Sequence, residues 1–566
     1  MRNYVIILLL CTAIALMASE VDTLFILNTT DVHAELLGFD FTTRQPRPQG
    51  LARVQTLIDS LRNHHHNVLL LDCGDMMQGN ILAYYYNHEA PDMTHPLMDA
   101  MNVMAYDAAT VGNHELEQGS AFMQRLLDAS DFPWLAANST GTTGEPVFQP
   151  YTIIRRGELS IGIIGLTVPV SPSMVPTSAR MEIQWSDMVE TARRYAEELR
   201  PKVDLLIGMF HAGFDATEGT LLPGRPVPNA SRMVAEQVPG FDLILGGHTH
   251  HTIPPAGQTI VAIAGEPLKI MAGSHGKTAA LITAEMEKTS LGWHPRNLTA
   301  SMISLATVKP DSQMVARYQP AYQQVNSYMD AVVCSTAIAI STHASRREDT
   351  AAIDLINRAQ LAWFDADISF SSSFTTSLEI PPGPITVRDV FALYPYENTL
   401  FLVEMTGRQV HNYLRWASRY YRISGDSVLA NPAIPGYQYD IAEGIGYQIN
   451  VTNSPQILRG NRPVTEPDST VANRIEKVVF LRDGSTVSYD DNRTYRVVIN
   501  SYRMFGGGQY IVENDRVGYR VLEASTVPAR QVLTRYLGSL GMVKDVENNN
   551  WQVITGAPDA TSEQRE

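Results

Sequence analysis

Aspartates, histidines and one asparagine recur at the ends of short apolar runs in the first half of the chain, and these side chains bind divalent cations and move protons. Asp31 and His33 follow the run Thr23 to Asn28, and their D-x-H spacing sets a carboxylate and an imidazole on the same side of an extended segment. Asn67 to Gly79, NVLLLDCGDMMQG, is the centre of the pattern: Val68 to Leu71 reads as a buried strand that ends in Asp72 and Asp75. The flanking Gly74 and Gly79 favour a strand leaving into a loop over a piece of core helix. Asp107 to Val111 runs into Asn113, His114 and Glu117, which combine a neutral ligand, a proton-handling imidazole and a carboxylate to orient it. Leu205 to Met209 leads to His211, and Phe241 to Leu245 leads to His248 and His250, again two residues apart. A single histidine of this kind is more often structural than metal-bound. Its recurrence at strand end after strand end within one region reverses that weighting.

The elements that must position these residues alternate between strand and helix. Gly50 to Leu61 carries Leu51, Val54, Leu57, Ile58 and Leu61 at helical spacing, a stripe that would cover a sheet. It ends in His64, His65 and His66, read as favourable residues at a helix C-terminus, since three consecutive imidazoles do not converge on one ion. Strand-like runs continue through Ile260 to Ala264 and Ala279 to Ile282, and Asp311 to Ala331 reads as an amphipathic helix at the domain boundary. In the second half Ile353 to Trp363 reads as helix and Ile368 to Phe370 as strand. The expected organisation is a leader at 1–19, a first domain at 20–305, a linker helix at 306–335, a second domain at 336–555 and a polar tail at 556–566.

Composition narrows the function classes. A chain of 566 residues with 44% hydrophobic content buries more than one core. Its formal charge of -16, from 59 acidic against 43 basic residues, provides no broad basic surface for phosphate backbones. Long nucleic acids are excluded as partners, whereas a small anionic substrate is not. The first residues carry Arg2, an apolar run from Val5 to Met17, and small residues at Ala13, Ala15, Ala18 and Ser19, as in a secretory signal peptide. That run falls short of the ~20 residues that span a bilayer. The polar C-terminus argues against a lipid-anchor tail. We expect an exported protein, periplasmic or extracellular, with no stable membrane anchor; the sequence leaves its oligomeric state open. With Cys11 in the leader, Cys73 and Cys334 form no disulfide framework, and Cys73 reads as a small buried packing residue.

In order, T-D-V-H, D-C-G-D, G-N-H-E, H-A-G and G-G-H-T-H resemble the calcineurin-like metallophosphoesterases, in the branch that includes 5'-nucleotidases and bacterial 2',3'-cyclic-nucleotide 2'-phosphodiesterases. The resemblance implies an N-terminal α/β/β/α metallophosphatase sandwich joined to a C-terminal α/β nucleotide-binding domain. Carried over residue by residue, it implies one metal held by Asp31, His33, Asp75 and His250, and a second held by Asp75, Asn113, His211 and His248, with Asp75 bridging. Mixed imidazole and carboxylate ligands suit two divalent ions of the Zn, Mn, Fe or Co kind better than Ca or Mg. A pair of cations ~3.5 to 4 Å apart can acidify a shared water and clamp a phosphoryl oxygen. His114 would then sit over the phosphate, with Glu117 orienting its ring.

The later stretches PPGPITVRDVFALYPYENTLFLVEMTG and INSYRMFGGGQY resemble the family's C-terminal domain, which sandwiches a base between two aromatic rings. On that match the rings are Tyr396 and Tyr510, and Gly506, Gly507 and Gly508 read as a close backbone approach to ligand beside Tyr510. Asn398 and Asp440 are the implied polar partners for base or ribose. Two departures bear on substrate. Glu117 stands where many 5'-nucleotidases have Asp, and Ser371 to Thr376 stands where many carry an N-G-G-G-I-R loop, so a bidentate anion clamp is missing there. The expected activity is a nucleotide phosphohydrolase leaning to 2',3'-cyclic nucleotides and 3'-nucleotides. The alternatives are a 5'-nucleotidase or broad nucleotide phosphatase and, from another class, a secreted nucleotide-binding protein without catalysis.

Overall fold

The apolar runs of the first half are buried on both faces, which is why they carry so little polar alternation. In the strand Val68–Asp72, Leu69 and Leu71 point into one core while Val68 and Leu70 point into another. The computed structural model describes residues 20–169, 181–218, 226–425, 427–453, 458–459, 462–463, 473–482, 485–504, 506–510, 519–525, 527–544 and 546–556; the leader and nearly all of the polar tail lie outside the described residues.

Two sheets stack face to face. In the first, Val21–Thr29, Val68–Asp72, Ala108–Thr110 and Trp134–Leu135 run parallel, and the long antiparallel strands Thr278–Thr289 and Gly292–Ser304 extend the sheet on the other side. In the second, Leu159–Thr167, Leu205–His211, Leu243–Gly246 and Leu268–Ala272 are parallel neighbours. The core between the sheets joins Leu24, Ile26, Leu69 and Leu71 to Ile161, Ile163, Ile207 and Leu245. The helix Leu51–His64 covers the outer face of the first sheet, and Met188–Leu199 with Ser231–Gln237 covers that of the second. The first half is therefore the expected α/β/β/α sandwich. Its parallel strands end along one edge, where crossover connections leave the loops free to carry chemistry.

The helix Ser312–Met329 starts on the Asp311 side chain, which accepts from Met314 N at 2.8 Å, and it lays Met314, Tyr318, Tyr322, Val325 and Met329 onto the N-terminal core. Beyond it, a five-stranded mixed sheet runs in the order Asp440–Glu443, Ile368–Ser372, Thr494–Asn500, Leu400–Thr406, Arg520–Ala524. Alternate residues of Leu400–Thr406 again separate two cores: Leu400 and Leu402 meet the helices Ala351–Phe364 and Ala529–Leu540, while Phe401 and Val403 meet Gly407–Ala417. Among the described residues no helix is long and apolar enough to cross a membrane.

Candidate active site

The loops leaving the parallel strands converge on two clusters whose ligand-type atoms lie within 4.8 Å of one another: Asp31, His33 and His250, and Asp75, His211 and His248. In the first, the Nε2 atoms of His33 and His250 are 2.9 Å apart, and His250 Nε2 is 3.5 Å from Asp31 Oδ1. In the second, His211 Nε2 lies 3.1 Å from both Asp75 Oδ2 and Asn113 Oδ1. The far side of two rings is tied to backbone: His33 Nδ1 donates to Gln78 O at 2.9 Å and His211 Nδ1 to Cys73 O at 2.7 Å. A carbonyl can only accept, so both rings present Nε2 to the cluster, the usual way a ligating imidazole is oriented. Cys73 itself is buried and serves through its carbonyl.

The backbone is strained to achieve this. Asp31, His33, Asp75, His248 and His250 all have positive φ, between 50° and 72°, a region costly for residues with a Cβ. Hydrogen bonds between the loops hold the strain: Asp31 N donates to Gly74 O, His33 N to Asp75 O, and His248 N to the Asp31 carboxylate. Gly112 belongs to the same construction, because a Cβ there would sit 2.2 Å from Asp75 Oδ1.

Charge in this pocket is unbalanced. Burial pushes the Asp31 carboxyl up to about 7 and drives the His33 and His248 imidazoles down to about 3. Burial also opposes charge on Asp75, but His211 and His114 beside it hold its carboxyl well below the usual range. The neutral imidazoles of His33 and His248 and the buried carboxylates beside them are donors of the kind a divalent cation takes. His211, which burial would lower but Asp75 raises to about 9, would give up its proton to an ion, so the residues present fit one.

His114 stands over the second cluster. Its Nδ1 is 2.8 Å from Glu117 Oε2, its Nε2 is 3.8 Å from Asp75 Oδ2, and its backbone N donates to Asp75 Oδ1 at 3.0 Å. Burial works against its charge, but Glu117 and Asp75 hold its pKa well above the ordinary histidine value. Asp72, the other acid of the central strand, faces away: it accepts from Thr29 Oγ1 at 2.6 Å and Gly74 N at 2.8 Å and shapes the loop.

In the second half the structure corrects three readings. Tyr510 is not an exposed stacking ring: it is 4% exposed, lies 4.4 Å from the Tyr413 ring, and donates its hydroxyl to Gln438 O at 2.6 Å. Asp440 is not open to a base or ribose: it is buried and accepts from Arg503 Nε at 2.7 Å and Tyr413 OH at 2.6 Å. Two of the three glycines make room for protein, since a Cβ on Gly507 would meet the Tyr502 ring at 2.5 Å and one on Gly508 would meet Arg503 NH1 at 2.8 Å. The exposed rings are Tyr396, Tyr437 and Tyr502, at 45%, 39% and 40%. They form a row, with centroids 6.4 Å and 6.3 Å apart. Asp440 supports that row from behind, because its partner Arg503 also donates to Tyr437 O at 2.8 Å. Asn398 is half-buried, and its side chain reaches Tyr394 OH at 3.4 Å.

The buried Asp440–Arg503 pair carries a pH signature. Burial raises the Asp440 pKa, but Arg503 and the hydroxyls of Ser372 and Tyr413 outweigh it and leave the folded value below 3.8. The stabilisation is therefore complete above the unfolded value and is lost as pH falls through the folded one. Asp440→Asn is expected to cost ~3 to 5 kcal/mol near neutral pH, because it strands a buried guanidinium. Urea unfolding at neutral pH checks this, and a loss below ~1 kcal/mol would refute it.

Comparison with known proteins matches residues 26–252 to the calcineurin-like phosphoesterases and 331–514 to the 5'-nucleotidase C-terminal domain. The chain is a metallophosphoesterase of the 5'-nucleotidase family. It is 26% identical, over 96% of its length and 91% of the relative's, to the 2',3'-cyclic-nucleotide 2'-phosphodiesterase/3'-nucleotidase of Salmonella typhimurium. It is 27% identical over 94% of its length to the trifunctional nucleotide phosphoesterase protein YfkN of Bacillus subtilis, but spans only 39% of that longer protein. The fold matches a Staphylococcus aureus structure solved with alpha-ketoglutarate, with a TM-score of 0.73 at 21% identity over 94% of this chain and all of that one.

Three residues of this metallophosphoesterase escaped the sequence reading. Glu115 is fully buried, and its carboxylate accepts from the backbone nitrogens of Gly112, Asp75, Met76 and Met77 at 2.8 to 3.0 Å. It clamps the Asp75 loop. Glu115→Ala would strand those amides and is expected to lower the unfolding free energy by roughly 3 kcal/mol, checked by urea denaturation. His275 packs its ring 5.0 Å from His33 and 5.6 Å from His250, and its N donates to Asp31 O at 2.7 Å. Arg346 donates from Nε to Ser373 O at 2.9 Å, within the serine-rich loop that replaces the family's arginine loop. A cation is thus present beside that loop, supplied from elsewhere in the chain. The G-N-H-E motif was the only available signal for Glu115; neither His275 nor Arg346 had one.

Proposed function

We propose that this protein is an exported dinuclear-metal phosphohydrolase acting on 2',3'-cyclic nucleotides and 3'-nucleotides. The observation that carries the reading is that Asp75, a member of the second His/Asp cluster, also accepts at its carbonyl from His33 N of the first and lies with Oδ2 3.8 Å from His114 Nε2, in a chain whose full-length relatives are named for that activity. Asp31, His33, Asp75 and His250 would hold one divalent ion, of the Zn, Mn, Fe or Co kind; Asp75, Asn113, His211 and His248 would hold the other. When bound, the pair supplies Lewis-acid activation of water and of the phosphoryl group.

The chain's own residues do the rest. Glu117 fixes His114 through Nδ1, so the ring holds its other proton at Nε2 and directs it at the phosphate site, where it stabilises developing charge and protonates the leaving sugar oxygen. The base lies in the row of Tyr396, Tyr437 and Tyr502, which tolerates different bases because each has a π-face. Export rests on the apolar leader at 1–19.

A 5'-nucleotidase reading draws support from Arg346, which donates to Ser373 O and lies near enough to Tyr396 to act on it electrostatically. The test is turnover of 2',3'-cyclic AMP, 3'-AMP and 5'-AMP side by side with Mn and with Zn. We expect kcat/KM for the first two to exceed that for 5'-AMP by ~10-fold or more. Preference for 5'-AMP would overturn the cyclic-nucleotide reading in favour of the 5'-nucleotidase one.

A further inference from the structure

The loop that presents Tyr396 also reaches the metal centre. Glu397, the next residue, lies against the Gln78 side chain, and the backbone carbonyl of Gln78 is the acceptor that orients His33. The loop is gripped from behind by Arg530, a buried residue of the helix Ala529–Leu540. Arg530 donates from Nε to Tyr394 O at 2.9 Å and from NH2 to Pro395 O at 2.8 Å. Its guanidinium lies 3.7 Å from the Phe391 ring centroid and 5.5 Å from that of Tyr84. Tyr84 belongs to the helix Ile81–Tyr84, which follows directly on the metal-centre loop, and Phe391 packs on it edge to face at 5.4 Å.

We propose that Glu397, braced by Arg530, is a positioning residue that sets the distance between the aromatic pocket and the metal centre and so determines which phosphate esters are hydrolysed. Glu397 and Gln78 each keep one buried side-chain oxygen without a hydrogen-bond partner among the described residues. A half-satisfied buried carboxylate costs stability, as expected of a group that positions rather than stabilises. Because Tyr396 and Glu397 are adjacent on one gripped loop, a base stacked on the first is held at a set span from His33. Substrates without a base do not feel that span.

The inference rests on the nucleotide reading above, and its test separates the two. Glu397→Ala is expected to raise KM for 2',3'-cyclic AMP by ~10-fold while p-nitrophenyl phosphate turnover stays within about twofold. Glu397→Gln, which keeps an acceptor for the Gln78 amide, should restore most of the loss, with a thermal midpoint no lower than that of the wild type. Equal losses on both substrates, or an unchanged nucleotide KM, would overturn the role. Small-angle scattering of the substrate-free protein reads the same joint without turnover: Glu397→Ala should enlarge the particle. An unchanged curve overturns the joint, whereas wild type that cleaves p-nitrophenyl phosphate but no nucleotide overturns only the substrate reading.

Discussion

Asp75→Asn is expected to remove nearly all turnover, lowering kcat/KM by ~10,000-fold, about 5.5 kcal/mol of transition-state stabilisation. Asp75 faces both clusters, 3.1 Å from His211 Nε2 and electrostatically coupled to His33 and His250. Its loss weakens both ion sites together. Asparagine is the informative replacement because it keeps the size of the side chain and because Asp75 sits at φ 57°, a conformation that Asn adopts more readily than Ala, so the loop is preserved. Metal content measured on the purified variant should fall along with activity. Full metal occupancy with lost turnover would place Asp75 in catalysis alone, and retained turnover would remove it from the site.

The second large effect concerns the aromatic row. Tyr502→Ala and Tyr396→Ala should each weaken nucleotide binding by ~1 to 3 kcal/mol, read as a raised KM, while sparing p-nitrophenyl phosphate. Tyr510→Ala should behave differently. Its ring fills a core with Tyr413 and Arg503, so the change opens a cavity and is expected to cost ~3 to 5 kcal/mol of stability, seen as a lowered thermal midpoint. A Tyr510→Ala protein of unchanged stability with a selective loss of nucleotide binding would return the stacking role to Tyr510.

The contrast between these tyrosines shows where sequence reasoning stops. Tyr502 and Tyr510 lie eight residues apart in one glycine-rich stretch, and composition alone cannot tell which ring is inside. Their fates follow from Arg503, which is drawn inward by Asp440, a residue 63 positions away, and which leaves Tyr502 on the outside. The same pairing consumes Asp440. Glu115 was visible as a letter of the G-N-H-E motif, but its task of binding four amides appears only when the Asp75 loop folds over it. The absence of an arginine loop at Ser371 to Thr376 was legible, whereas the arrival of Arg346 from a different segment was not.

By itself the sequence determined the apolar strand-like runs and the set of groups at their ends, and the motifs those groups form carried the resemblance that implied the α/β/β/α sandwich. The D-x-H and H-x-H pairs themselves lie in loops at positive φ, not on the extended segments that a two-residue spacing suggested. Only the tertiary structure decided which polar groups are spent on one another and which stay free for a ligand. That choice depends on long-range pairing under burial, where an acid such as Asp440 is held by whichever cation the fold brings to it.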